Sequence, residues 1–181
     1  MIVNILSPTH CYVLAGAIHQ HGDTPIIRPD PVVARPGEWL VTMGYRRLLS
    51  PEIVDSYEGR TVNLHISYLP HNRGADPNFW SWVDNTPKGV TLHQLDHGMD
   101  TGPIWFQKIV GLEAKESLRQ SYGQLIFSVI DLFREKWPVI SKGAKPTPQK
   151  GGGPARKRKD LLDRCGGLPD WEAVTGNSLM A

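Results

Sequence analysis

Val62-Asn63-Leu64-His65-Ile66-Ser67-Tyr68-Leu69-Pro70-His71-Asn72-Arg73-Gly74 is followed by Gly89-Val90-Thr91-Leu92-His93-Gln94-Leu95-Asp96 and then by Met99-Asp100-Thr101-Gly102. In these stretches an amide, an imidazole and a carboxylate fall where strands give way to loops. An open α/β sheet builds its active site at such strand ends. The three groups suit acyl transfer: an amide donor for an oxyanion, a proton carrier near neutral pH, and a carboxylate that orients or charges the carrier. Asn63 and His65 are two apart on a strand and so share a face. Alone they read equally well as a satisfied polar pair. The Asp100-Thr101-Gly102 loop and the shaped turn from Leu69-Pro70 to Arg73-Gly74 favour the chemical reading.

Outward from this segment, short apolar runs alternate with helical spacings. Ile2 to Leu6, Thr24 to Arg28, Glu38 to Met43 and Thr61 to Leu64 read as strands. His10 to Gln20 and Pro51 to Tyr57 read as helices, the second opened by a Ser50 cap with Pro at the first helical position. Phe79 to Val83 reads as a short helix, and Val90 to Gln94 and Pro103 to Val110 as paired strands around the Asp96 to Gly102 loop. Leu118, Tyr122, Leu125, Ile126, Val129, Ile130 and Phe133 have helical spacing within Ala114 to Trp137, with Pro138 at the end. The order predicts an α/β fold with a doubly wound, Rossmann-like sheet in a single domain. Its front half is abbreviated: Pro29, Pro31 and Pro36 leave room only for a loop between the second and third strands. Residues 1–142 form the expected catalytic unit. Residues 143–181 form a Gly/Pro/Lys-rich loop and a tail from Leu161 to Leu179, with Trp171 and Val174, that packs back as a short helix or offers a homodimer surface.

The 181 residues suit one core-forming domain. With 18 Gly, 15 Pro and 40% apolar residues, turns are frequent without implying disorder. A net charge of +2 gives no basis for a nucleic-acid partner. Cys11 and Cys165 lack metal or redox spacing, so a reduced, cytoplasmic setting is expected. The opening apolar run is too short for a signal peptide or membrane span.

The pattern Asn63, His65, Ser67, Leu69, Pro70, Gly74, Asp100, Thr101 and Gly102 resembles the folate-dependent formyltransferases. The resemblance runs from about Trp39 to Gln107 and more faintly to Asp160. It implies 10-formyltetrahydrofolate as donor, a small-molecule primary amine as acceptor, and Asn63, His65 and Asp100 as the catalytic groups. Asn63 and a protonated His65 would donate to the formyl oxygen, and Asp100 would direct protons. Arg46, Arg47, Leu48 and Leu49 on one loop, with Leu95, Asp96, His97 and Met99 on another, would receive the folate. Ile66 stands where many members have Pro, which alters a turn without removing a reactive group. The first strand leads into Ser7-Pro8-Thr9-His10 rather than a Gly-rich turn, which disfavours a glycinamide ribonucleotide substrate. No extra barrel of the kind methionyl-tRNA enzymes carry is expected, which disfavours a tRNA acceptor. It looks most like compact amino-sugar N-formyltransferases or peptide-synthetase formylation domains. The expected acceptor is therefore an amino sugar or sugar nucleotide. The alternatives are an aminoacyl or peptidyl amine, water, or a non-catalytic folate-binding module.

Other residues take plainer readings. His93, Asp96, His97 and Asp100 do not make a metal site, because Val90 to His93 alternates as a strand and Gly98 breaks the run. Trp80 and Trp82 read as core or interface packing ahead of substrate stacking. Arg156 to Lys159 reads as a solvated charge run ahead of a phosphate contact. His10 and Tyr12 lie where they could touch substrate, and His19, His21 and His71 read as surface residues.

Overall fold

Six strands form one sheet in the order β2-β1-β3-β4-β5-β6. The computed structural model describes residues 1–173 and 175. The strands are β1 (Ile2–Leu6), β2 (Thr24–Ile27), β3 (Trp39–Met43), β4 (Thr61–His65), β5 (Gly89–His93) and β6 (Ile104–Ile109). The helices are α1 (Cys11–Gln20), α2 (Pro51–Ser56), α3 (Pro77–Val83), α4 (Leu118–Ile140) and α5 (Arg158–Cys165). Strands β1 to β4 pair in parallel. Strand β5 pairs antiparallel with both β4 and β6. The expected α/β sheet is thus wound in both directions from β1 and extended by an antiparallel hairpin. The connection from β2 to β3 holds no helix, as the prolines predict.

Period-two alternation separates the two faces of the sheet. Val3, Ile5, Val41, Met43, Val62, Leu64, Val90 and Leu92 share one core with Leu14, Ala17 and Ile18 of α1 and Leu125, Val129 and Phe133 of α4. The alternating positions face the other way. There Leu6 and Leu40 pack on Tyr57, with Tyr45, Leu49, Ile53 and Leu95 around them. That face also carries a row of polar residues: Asn4, Thr42, Thr61, Asn63, His65, Thr91 and His93. All but Asn63 are buried. A polar stripe inside a sheet is costly unless every group is bonded. This stripe leads to the loops beyond β3, β4 and β5.

Helix α4 begins at Leu118 rather than Ala114, because a capping box sets its start. Ser117 Oγ accepts from the Gln120 backbone N–H at 3.2 Å, and Gln120 Oε1 accepts from the Ser117 N–H at 2.9 Å. The tail supplies partners for two further free N–H groups: Leu118 donates to the Ala173 carbonyl and Arg119 to the Trp171 carbonyl. The helix also continues past Pro138 to Ile140. Proline cannot bond the carbonyl four residues back, that of Arg134. His21 Nε2 donates to that carbonyl at 3.2 Å, so this surface histidine closes the gap. In α2, Pro51 opens the helix as expected, but the Ser50 side chain makes no capping bond.

The tail packs against the fold up to Ala173; Val174 and the rest of the stretch to Leu179, apart from Thr175, lie outside the described residues. Leu161 of α5 is buried with Phe79, Trp80, Trp82 and Leu118, and Trp171 sits edge-on to Tyr122. The tryptophans are therefore packing residues. Among the described residues, no helix is long and apolar enough to cross a membrane.

Candidate active site

Sheet register builds the site. Thr42 pairs with Asn63 across β3 and β4, and Asn63 pairs with His93 across β4 and β5. The three side chains form a row. Thr42 Oγ1 donates to Asn63 Oδ1 at 2.7 Å, and Asn63 Nδ2 donates to His93 Nε2 at 3.0 Å. His93 Nδ1 donates to the Gln94 carbonyl at 2.6 Å, so the tautomer that accepts from Asn63 carries its proton on Nδ1.

Asp100 comes down onto this row from the β5–β6 loop. Its Oδ1 accepts from Asn63 Nδ2 at 3.2 Å and lies 3.4 Å from His93 Nε2. Its Oδ2 accepts the Gly74 backbone N–H at 2.7 Å and lies 3.7 Å from His65 Nδ1. The carboxylate is thus bracketed by two imidazoles. It also fixes the Asn63 amide, since a flipped amide would set oxygen against oxygen. The Gly74 turn is backbone-specific: φ is 91° and a β-carbon would collide with the Arg156 carbonyl.

His65 Nε2 donates to the Asn72 carbonyl at 3.2 Å. In the neutral ring Nδ1 is therefore the basic atom, and it faces Asp100. Burial lowers the imidazole from its ordinary 6.5. Asp100 opposes this, nearby His93 adds to it, and the Asn72 bond opposes it. With its pKa below the ordinary 6.5, the neutral form is the resting one at neutral pH. Burial alone would raise Asp100, but His65, His93 and the Gly74 N–H hold it well below the usual carboxylate range, so it is ionised.

The structure brings Asn63, His65 and Asp100 into one cluster. The residues expected at the donor site are more dispersed. Leu49 and Leu95 pack together on the apolar patch around Tyr57, and Leu48 beside them is 64% exposed. Asp96 stabilises its own loop, accepting from Gly98 N–H at 3.1 Å and Thr101 Oγ1 at 2.6 Å. Met99 Sδ lies against Gly74. Arg47 turns to Asp30 and the Tyr45 ring, and His97 pairs with Asp55 at 2.8 Å. Arg46 stands near enough to Asp76 and Tyr122 for its charge to act on both. A cavity of about 510 Å³ between α2 and Leu95–Gly98 touches none of the three central residues. Arg156, Arg158 and Lys159 pair with Asp84, Asp76 and Asp163, so this charge run is largely neutralised within the fold.

Sequence reasoning missed the parts His93, Thr42 and the Gly74 N–H play. The visible signal for His93 was its place in an alternating strand. Its partner depends on register, which turn geometry and packing decide.

A family model described as formyl transferase matches residues 32–127. Over 116 residues the chain is 32% identical to the methionyl-tRNA formyltransferase of Thermodesulfovibrio yellowstonii, a match covering 63% of this chain and 38% of that protein. The formyltransferase PseJ from Anoxybacillus kamchatkensis, solved in complex with UDP-4,6-dideoxy-4-formamido-L-AltNAc and tetrahydrofolate, has a TM-score of 0.88 and 34% identity, covering 99% of this chain and 97% of that one. Phosphoribosylglycinamide formyltransferase from Bacillus halodurans shares the fold, with a TM-score of 0.63 and 21% identity over 80% of this chain and 97% of that one. The chain belongs to the formyl transferase family.

Proposed function

We propose that this protein transfers a formyl group from 10-formyltetrahydrofolate to the primary amine of an amino sugar, carried on a nucleotide. The observation that carries the chemistry is the joined Asn63–His65–Asp100 cluster. The likeness to PseJ over nearly the whole of both chains supports the acceptor class. The resemblance to methionyl-tRNA formyltransferase supports a second reading, with an aminoacyl amine as acceptor.

The apolar surface of Leu48, Leu49 and Leu95 suits a flat heterocycle, with Arg46 on the same loop. The donor supplies an activated formyl carbon and a leaving nitrogen. Asn63 can donate to the formyl oxygen by exchanging one of its two present acceptors, and one such donor is typically worth ~3 kcal/mol. His65 Nδ1 takes the proton that the attacking amine must lose. The resulting imidazolium faces ionised Asp100, which stabilises it until the proton passes to the leaving nitrogen.

Absorbance-monitored conversion of 10-formyltetrahydrofolate to tetrahydrofolate, with UDP- and dTDP-linked amino sugars and charged methionyl-tRNA as acceptors, tests the reading. Conversion that depends on the sugar nucleotide is expected. Asn63→Ala, His65→Ala and Asp100→Ala should each nearly abolish it while circular dichroism stays native. Turnover with methionyl-tRNA alone would move the assignment to the second reading. Wild-type turnover in any of the three variants would remove that residue's role.

A further inference from the structure

Asp100 adopts φ 54°, a left-handed conformation that side-chain-bearing residues seldom hold without support. Its carboxylate contacts account for the side chain but not for the backbone. The backbone is held by a residue remote in sequence. Gln149 Nε2 donates to the Asp100 carbonyl at 2.9 Å and to the Gly102 carbonyl at 2.7 Å. Its Oε1 accepts from Arg73 Nε at 3.2 Å and Nη2 at 2.7 Å. Both amide hydrogens are used, and the oxygen is engaged by two donors. The orientation is forced, because a flipped amide would face oxygen to two carbonyls and N–H to a guanidinium.

Arg73 lies between Asn72, whose carbonyl holds His65, and Gly74, whose N–H holds Asp100. Gln149 therefore joins the two loops that meet at the carboxylate. Its own segment is anchored on both sides. Thr147 and Ile104 exchange two backbone bonds at 2.8 Å each, and Arg156 bridges Gly74.

We infer that Gln149 is a positioning residue that holds Asp100 against His65 by clamping the Asp100–Gly102 backbone to the Arg73 turn. Its catalytic consequence rests on the formyl transfer proposed above; the clamp itself does not. Glutamate at this position would keep an acceptor for Arg73 but set a carboxylate oxygen against two carbonyls. Gln149→Glu thus removes the clamp and spares the Arg73 contact, whereas Gln149→Ala removes both.

The test combines histidine-ring NMR titration with steady-state kinetics on Gln149→Ala, Gln149→Glu and the control Thr147→Ala, whose backbone bonds survive. In Gln149→Ala the His65 ring is expected to titrate at lower pH than in the wild type, because Asp100 no longer supports its charge; in Gln149→Glu the new carboxylate opposes that shift, so this variant is read by kcat. In both Gln149 variants kcat should fall on the order of 10²-fold, the scale of a small misplacement of a reacting group, with KM little changed. Thr147→Ala should match the wild type in both. If Gln149→Ala fails to fold, Gln149→Glu decides the question. An unmoved His65 titration in folded Gln149→Ala, or a wild-type kcat in Gln149→Glu, would overturn the clamp. Absence of formyl transfer in the wild type would overturn the proposed function instead, and the titration would still decide the clamp.

Discussion

In the proposed reaction His65 and Asp100 divide a task that neither could perform alone. Buried in the polar stripe, His65 is lowered from its ordinary value and basic at Nδ1, while ionised Asp100 stands where the proposed transfer would form an imidazolium. A base works only when unprotonated, so the pH–rate profile should have an acid limb below 6.5, the ordinary histidine value from which His65 is lowered. Asp100 raises His65 toward its charged form. Asp100→Asn should therefore displace that limb to lower pH as well as depress kcat; an unmoved limb would mean that another group titrates. His93 has a separate role, accepting from Asn63 Nδ2 at 3.0 Å. His93→Ala removes one hydrogen bond, worth about 1 kcal/mol net, so kcat should fall roughly 5- to 10-fold. A loss as deep as that of His65→Ala would instead assign His93 to proton transfer. That Asn63, His65 and Asp100 belong together as a candidate site was legible in the sequence because their motif is compact and their chemistry distinctive. His93 was not, since its meaning comes from lying opposite Asn63 in an antiparallel register. The charge state of His65 was also hidden, because it depends on burial, which no local pattern reports.

The elements themselves were readable where hydrophobic period and turn residues agreed. β1, α1 and the proline-interrupted loop before β3 came out almost residue for residue. The boundaries of α4 did not, for two physical reasons. Its true start is set by reciprocal bonds between Ser117 and Gln120 and by carbonyls arriving from Trp171 and Ala173, far along the chain. Its end passes Pro138 because His21, more than a hundred residues away in sequence, bonds the orphaned Arg134 carbonyl. A cap that takes part in a box is worth about 1 kcal/mol. Ser117→Ala should lower the unfolding free energy by that amount in urea denaturation. Because α4 lies on the sheet face opposite the polar stripe, kcat should be unchanged in the folded variant. A coupled loss of kcat would show that the α4 N-terminus communicates with the site.

At the scale of the molecule, sequence pattern specified an α/β sheet but not how distant segments close over it. The class was legible because strands and helices alternate along the chain. The passage of residues 147–156 beside β6, Gly102 and Gly74 was not, because Gly, Pro and Lys residues look like any surface loop until their backbone partners are known. The polar stripe has a consequence for the stability of the whole chain. His65 and Asp100 both have folded pKa values below their unfolded ones, for which 6.5 and 3.8 are the references. For such groups the unfolded state binds more protons in the window between the two values, so stability rises with pH. The His65 contribution is complete above 6.5 and is lost as pH falls through that value toward its folded pKa. Asp100 adds a second loss below 3.8. Urea unfolding of the wild type should therefore show a stability that declines from pH 7 to pH 5, before the carboxylates titrate. His65→Phe removes the histidine's part of that linkage while keeping an aromatic ring in the site. Its unfolding free energy should vary less over the same interval, whatever its absolute value. Equal slopes in the two proteins would mean that His65 is not held neutral by burial, and the assignment of Nδ1 as the resting base would fall with it.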